Sequence, residues 1–138
     1  MTATLFLLFN HHLTAEQEED ARKSLGVKEI VRPPDQVQAI WRQIPPDIPT
    51  ISPFLEPVRQ WLTAAAKAGD YVLVQGDFGA CYLMVNFAFA AGLVPVYSTT
   101  RRQATETVQP DGKIQLTHHF QHQNFRRYEK LSDTGVDK

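Results

Sequence analysis

The sequence predicts a compact Rossmann-like α/β domain, a mostly parallel sheet flanked by helices with a C-terminal antiparallel hairpin. Three observations predict it. Two apolar runs of strand length, TLFLLF at Thr4–Phe9 and YVLVQ at Tyr71–Gln75, lack polar alternation, as strands buried on both faces of a parallel sheet do. Each run leads through a short polar loop into helical spacing, which makes a β-loop-α unit. After Arg102 the pattern changes to alternation around Pro110-Asp111-Gly112, the signature of a hairpin.

Thr4–Phe9 is expected to be a central strand. Asn10 to Leu13 form a loop, and Thr14 with Gln17 has the capping-box spacing that starts an acidic helix ending near Ser24, with Gly26 as its stop. Glu29–Arg32 makes a short strand closed by Pro33 and Pro34. Asp35 is placed to cap a helix with Val37, Ile40, Trp41 and Ile44 on one face, ended by Pro45 and Pro46. Asp47–Pro53 reads as an irregular connection, and Phe54–Ala68 as a helix carrying Leu55, Val58, Trp61 and Leu62. Tyr71–Gln75 is the second central strand, Gly76–Gly79 a tight turn, and Ala80–Ala91 a helix apolar nearly all round. One sheet cannot cover that helix, and a partner subunit is the expected cover. Leu93–Tyr97 is a further strand, which Pro95 pushes toward a sheet edge or an interruption because it lacks an N–H for the ladder. Thr105–Gln109 and Ile114–Phe120 form the hairpin, followed by an extended piece near Phe125–Tyr128. Residues 1–130 make one domain and 131–138 a polar tail.

Composition narrows the function. The chain has 138 residues, 43% of them hydrophobic, and its 14 basic and 15 acidic side chains leave a net charge of -1. This is one soluble domain with a single core. No apolar run approaches the ~18 residues of a membrane span, and the N-terminus has no leader pattern, so the cytoplasm is expected. Cys81 is the lone cysteine, which excludes an intramolecular disulfide and cysteine-built zinc modules. Near-neutral charge speaks against a protein that coats long nucleic acid, although Ser98–Lys130, with six Lys/Arg against three Asp/Glu, is locally basic.

In an open parallel sheet ligands bind beyond the carboxyl ends of the strands. Three polar clusters fall there: Asn10-His11-His12, Gln75-Gly76-Asp77-Phe78-Gly79, and Ser98-Thr99-Thr100-Arg101-Arg102. Ordinary turn chemistry is the competing explanation for each. The second cluster opens a helix, whose free N–H groups and dipole favour phosphate. It has neither the lysine and hydroxyl residue of a P-loop nor the third glycine of a dinucleotide fingerprint. Arg101 and Arg102, directly after a strand end, stand where a guanidinium fork would grip phosphate, and alternation aims one of them inward and the other outward. Phe78 and Tyr82 are candidates for stacking on a base, while Trp41 and Trp61 read as core. His11 is the candidate for proton transfer; His118, His119 and His122 read as surface or interface residues. No His/Cys/Asp/Glu group has metal-site spacing, Cys81 reads as a packed thiol, and no serine, cysteine or lysine stands beside an evident base. Attack by the substrate itself is therefore expected, without metal or cofactor.

FLLFNHHLT at Phe6–Thr14, YVLVQGDFGACYLMVNFAFAAGLVPVYSTTRR at Tyr71–Arg102 and FQHQNFRRYE at Phe120–Glu129 together resemble the small stand-alone CARF-like ring nucleases of type III CRISPR systems. The resemblance implies a homodimer that binds cyclic tetra-adenylate and cuts it, switching off the antiviral signal. Serine is usual in that family where Asn10 stands. On this reading Arg101 and the backbone at Gly79 and Ala80 stabilise charge, Asn10, Gln75, Thr99 and Thr100 position phosphate, and His11 transfers a proton, with Asp77 as its rival. Gly76, Phe78, Tyr82 and Arg102 complete the expected ligand contacts. A non-catalytic sensor of cyclic oligonucleotides would use the same pocket.

Overall fold

The structure is a computed structural model that describes residues 2–135, apart from the side chains of Gln103, His118, His119 and Phe120. Five strands form one sheet in the order β2-β1-β3-β4-β5, where β1 is Thr4–Leu8, β2 Glu29–Val31, β3 Tyr71–Val74, β4 Val94–Val108 and β5 Ile114–Arg127. The contacts of β1 with β2, β1 with β3 and β3 with β4 are parallel, and only β4 with β5 is antiparallel. This is the expected Rossmann-like sheet.

The unbroken apolar runs follow from covering both faces. In β1, Leu5 and Leu7 pack toward helix α1 (Ala15–Ser24), in one core cluster with Ala21, Leu73 and Val96. Phe6 and Leu8 face the other way, with Val72 and Val74, against α2 (Asp35–Arg42), α3 (Glu56–Ala65) and α4 (Phe78–Ala90). Each fully buried Leu or Val side chain contributes roughly 1.5–3 kcal/mol, so both layers hold the strand in register. Among the described residues, no helix is long and apolar enough to cross a membrane.

The α1 capping box is formed: Gln17 N–H donates to Thr14 Oγ1 over 3.1 Å, and Thr14 N–H to Gln17 Oε1 over 2.9 Å. Gly26, at φ +70, takes the left-handed turn that ends the unit. Four expectations need correction. Asp35 opens α2 rather than capping it; Pro34 is the N-cap and supplies no side-chain bond, so Asp35 acts on the helix dipole from the first turn. The helix predicted over 54–68 is a 3-10 turn, Pro53–Leu55, followed by α3, whose first turn holds Pro57 where no N–H is needed. Helix α4 starts at Phe78 because Asp77 is its cap, its Oδ2 accepting from Ala80 N–H over 3.0 Å, so Phe78 and Gly79 belong to the helix and not to the turn.

The fourth correction concerns Pro95. It lies in an interior strand, and β4 runs unbroken from the parallel sheet into the hairpin, joining segments the sequence suggested were separate. Val94 N–H donates to Asp70 O on the β3 side, so Pro95 N points to the β5 side, just beyond the pair Val96–Arg127. Its carbonyl there accepts from Tyr128 N–H over 3.0 Å. The missing N–H falls at the end of the ladder. Strand β5 likewise runs through the piece near Phe125, with a register shift between Ser98 and Thr100 where β5 carries an extra residue. Of the expected polar tail, Leu131–Asp133 form a 3-10 turn, and 136–138 lie outside the described residues.

Candidate functional site

Because β1, β3 and β4 are neighbours and parallel, their following segments share one edge of the sheet. Asn10 is half-buried there, and its Oδ1 is buried without a hydrogen-bond partner. His11 is exposed; an edge-on contact with the Phe9 ring, 5.4 Å between centroids, orients it. His12 shares a 2.7 Å bond between its Nδ1 and Arg32. Gln75 is bound into the protein: its N–H donates to Leu8 O, its carbonyl accepts from Trp41 Nε1, and its Oε1 accepts from Ser98 N–H over 2.7 Å.

One flank of the edge is an open groove of about 970 Å³ between α4 and the end of the hairpin, lined by Gln75, Phe78, Tyr82, Phe89, Tyr97 and Tyr128 among others. Phe78 is 95% exposed and Tyr82 70%. They stand one turn apart on α4, at its N-terminal rim. Asp77 Oδ2 occupies the Ala80 N–H and its carbonyl accepts from Cys81 N–H, so the opening N–H groups that lie ahead of the helix's own hydrogen bonds are those of Phe78 and Gly79. Burial pushes the Cys81 thiol up to about 11, which fits a packed thiol and not a nucleophile. Burial likewise raises the Tyr128 hydroxyl to about 12, and it donates to Val74 O over 2.6 Å.

The third cluster is not at a strand end. Ser98, Thr99, Thr100, Arg101 and Arg102 all lie within β4, on the part that projects with β5 beyond the parallel strands. Alternation puts Ser98, Thr100 and Arg102 on the α1 face and Thr99 and Arg101 on the α4 face. The two arginines therefore belong to opposite faces, as alternation leads one to expect, but both are exposed and neither is turned inward. Thr99 Oγ1 is held by Asn124, donating to both its backbone carbonyl and its Oδ1. Arg126 donates to Tyr97 Oη and lies over that ring, and Arg127 does the same with Tyr71.

The other flank holds an arrangement the sequence reading missed. His122 Nδ1 is 2.6 Å from Ser98 Oγ, and its Nε2 is 2.7 Å from Asp20 Oδ2. Gln17 Nε2 donates to the same Ser98 Oγ over 3.3 Å. The His122 side chain is only 6% exposed, which corrects its assignment to the surface; His118 and His119 side chains lie outside the described residues. The expectation that no serine stands beside a base is overturned as well. Burial alone would raise the Asp20 carboxyl, but hydrogen bonds from Ser24 and His122, with the charges of His122 and Lys23, hold it below the usual range. A cavity of about 470 Å³ opens beside this row, lined by Thr14, Glu16, Gln17, Thr100, Gln121 and His122. The signal available was register: once β5 is extended through Gln121, His122 pairs with Thr100 and shares a face with Ser98.

The sheet order and the pockets at its carboxyl edge define a small Rossmann-like α/β protein. Residues 3–126 match the model of the "Uncharacterized protein MJ1673 family". The chain is 49% identical over 124 residues to "Uncharacterized protein MJ1673" of Methanocaldococcus jannaschii, covering 90% of this chain and 95% of that protein. The chain therefore belongs to the MJ1673 family. Neither name states an activity or a ligand, and no solved structure matches.

Proposed function

We propose that the chain is a homodimeric ring nuclease that binds cyclic tetra-adenylate at the carboxyl edge of its sheet and opens it to a linear product ending in a 2',3'-cyclic phosphate. In the cell it would act in the cytoplasm to end type III CRISPR signalling. The observation that carries this reading is the pair Phe78 and Tyr82, left exposed at the rim of an open groove beside the N-terminus of α4. Large exposed aromatics on a soluble domain mark a binding surface, and stacking on a base contributes ~1–3 kcal/mol. The projecting hairpin adds Arg101 and Arg102 for phosphate charge. A ring with four repeats suits two such edges related by a two-fold axis.

The chemistry asks little of the protein. The ribose 2'-hydroxyl attacks its own phosphorus, the O2'–P bond forms as the P–O5' bond breaks, and the 2'-proton ends on the 5'-oxygen, so no water is consumed. Alignment and charge neutralisation provide most of the acceleration. Purified protein incubated with cyclic oligoadenylates of different sizes in excess EDTA tests this, with products identified by mass spectrometry. Conversion of the tetramer, and none of a ring with 2'-hydrogens, is expected. Activity that EDTA removes and magnesium restores, or cleavage of the deoxy ring, overturns the mechanism. Tight binding without turnover makes the chain a sensor, and absence of binding ends the reading altogether.

A further inference from the structure

We infer that Asp20, His122 and Ser98 form the proton-transfer centre of this chain, with His122 taking the proton of a ribose 2'-hydroxyl bound in the cavity between α1 and the hairpin. The inference rests on the ring-nuclease reading and moves the chemistry away from His11. Three observations converge on it.

The first is the row itself. Asp20 Oδ2 sits 2.7 Å from His122 Nε2, so the carboxylate fixes the ring and stabilises the imidazolium once a proton arrives, leaving Nδ1 as the working nitrogen. His11 has no such carboxylate, its orientation resting on the Phe9 ring.

The second is the occupant of Nδ1. Ser98 Oγ lies 2.6 Å away, but it is a neutral hydroxyl on a rotatable bond and has a second partner in Gln17 Nε2 at 3.3 Å. A turn about χ1 releases Nδ1 to another hydroxyl; the Ser98 oxygen is one that Gln17 Nε2 donates to, while its proton passes to a new acceptor such as a ligand oxygen. Ser98 thus stands where a substrate hydroxyl would sit.

The third is the cavity. His122 lines it together with the hydroxyls and amides of Thr14, Gln17, Thr100 and Gln121 and one carboxylate, Glu16, a polar wall that suits a sugar better than an acyl chain. Its roughly 470 Å³ accommodates one nucleotide unit rather than a ring of four. Alternation brings Arg102 to this face of β4, where a phosphate next to the bound ribose needs charge. The charged groups on this side are Asp20 against the imidazole, Lys23 acting on Asp20, and Glu16 on the cavity wall. Gln75 links the two flanks, since it lines the α4 groove while its Oε1 holds Ser98 N–H.

In the step, the 2'-proton passes to His122 Nδ1, the O2'–P bond forms as P–O5' breaks, and the imidazolium returns the proton to the 5'-oxygen. The test is single-turnover cleavage of cyclic tetra-adenylate against pH, with equilibrium binding measured in parallel. His122→Ala is expected to slow cleavage by ~10²–10⁴-fold with little change in affinity, and added imidazole to restore part of the rate. Asp20→Asn is expected to slow cleavage about tenfold and displace the acidic limb of the pH profile; it decides the matter if His122→Ala does not fold. Wild-type rates and profiles in both the His122 and Asp20 variants overturn the inference while leaving the ring-nuclease reading intact. So does an oligonucleotide found covalently attached to Ser98. A wild-type protein that fails to cleave any ring overturns both.

Discussion

The indole of Trp41 donates from Nε1 to the carbonyl of Gln75 over 2.9 Å, and Gly76 follows directly beneath the same ring. A Cβ built on Gly76 would lie 2.9 Å from Nε1 and 3.1 Å from Cε2. Trp41 is 1% exposed and joins α2 to the turn that begins α4, so it has no room to yield. Gly76→Ala is expected to destabilise the fold by ~1–3 kcal/mol. Urea unfolding followed by tryptophan fluorescence checks this, and an unchanged midpoint would show that the indole moves freely.

Asp70 is a fold-holding carboxylate at the opposite edge of the sheet. It is 2% exposed, with Oδ1 accepting from Thr4 N–H and Oδ2 from Lys67 N–H, each over 3.0 Å. It thereby ties the start of β1 to the loop that leads into β3. Asp70→Ala removes the acceptor of two part-buried donors and is expected to cost ~1–3 kcal/mol. Asp70→Asn keeps one acceptor and is expected to fall between the two. Thermal melts of the three proteins give the order.

The parallel core was legible because burial on both faces leaves an unmistakable trace: Leu5 to Leu8 and Val72 to Val74 are apolar at every position. The α1 start was legible for a similar reason, since Thr14 and Gln17 carry their own capping chemistry. What escaped was long-range register. Pro95 looked like a break because its effect depends on which side of the strand its nitrogen faces, and only pairing decides that. For Arg101 and Arg102 alternation already set opposite directions; what escaped was that β4 continues through both, so no strand end precedes them and neither is buried. Ser98 and His122 are 24 residues apart, and Asp20 lies 102 residues from His122, so nothing local joined them.

Phe78 and Tyr82 contribute little to the folded chain, being 95% and 70% exposed. Alanine at either position is expected to leave stability within about 0.5 kcal/mol. If they stack on adenines, each replacement weakens binding of cyclic tetra-adenylate by ~1–3 kcal/mol. Calorimetric titration reads the affinity, and light scattering on the same samples reports whether the proposed dimer forms and survives the change. Affinity lost together with the dimer would make these residues the interface and not the base platform.

The hydrogen bonds of Asp20 with Ser24 and His122, which outweigh its burial, give stability a pH signature whose sign follows from the carboxyl. Asp20 titrates below the ordinary aspartate value of 3.8 in the folded chain, so the unfolded state binds its proton more readily than the native state does. The stabilisation is present above the unfolded value and disappears as pH falls through the lower, folded one. Asp20→Asn removes the titrating group, while its side chain still reaches Ser24 and His122 as a neutral amide. The variant is therefore expected to melt below the wild type near neutral pH, with the gap closing on acidification below about pH 4. Paired melting curves from about pH 7 to pH 3 measure it. A gap that stays constant across that range would mean that Asp20 acts through packing alone, and one that widens on acidification would reverse the assigned direction of the shift.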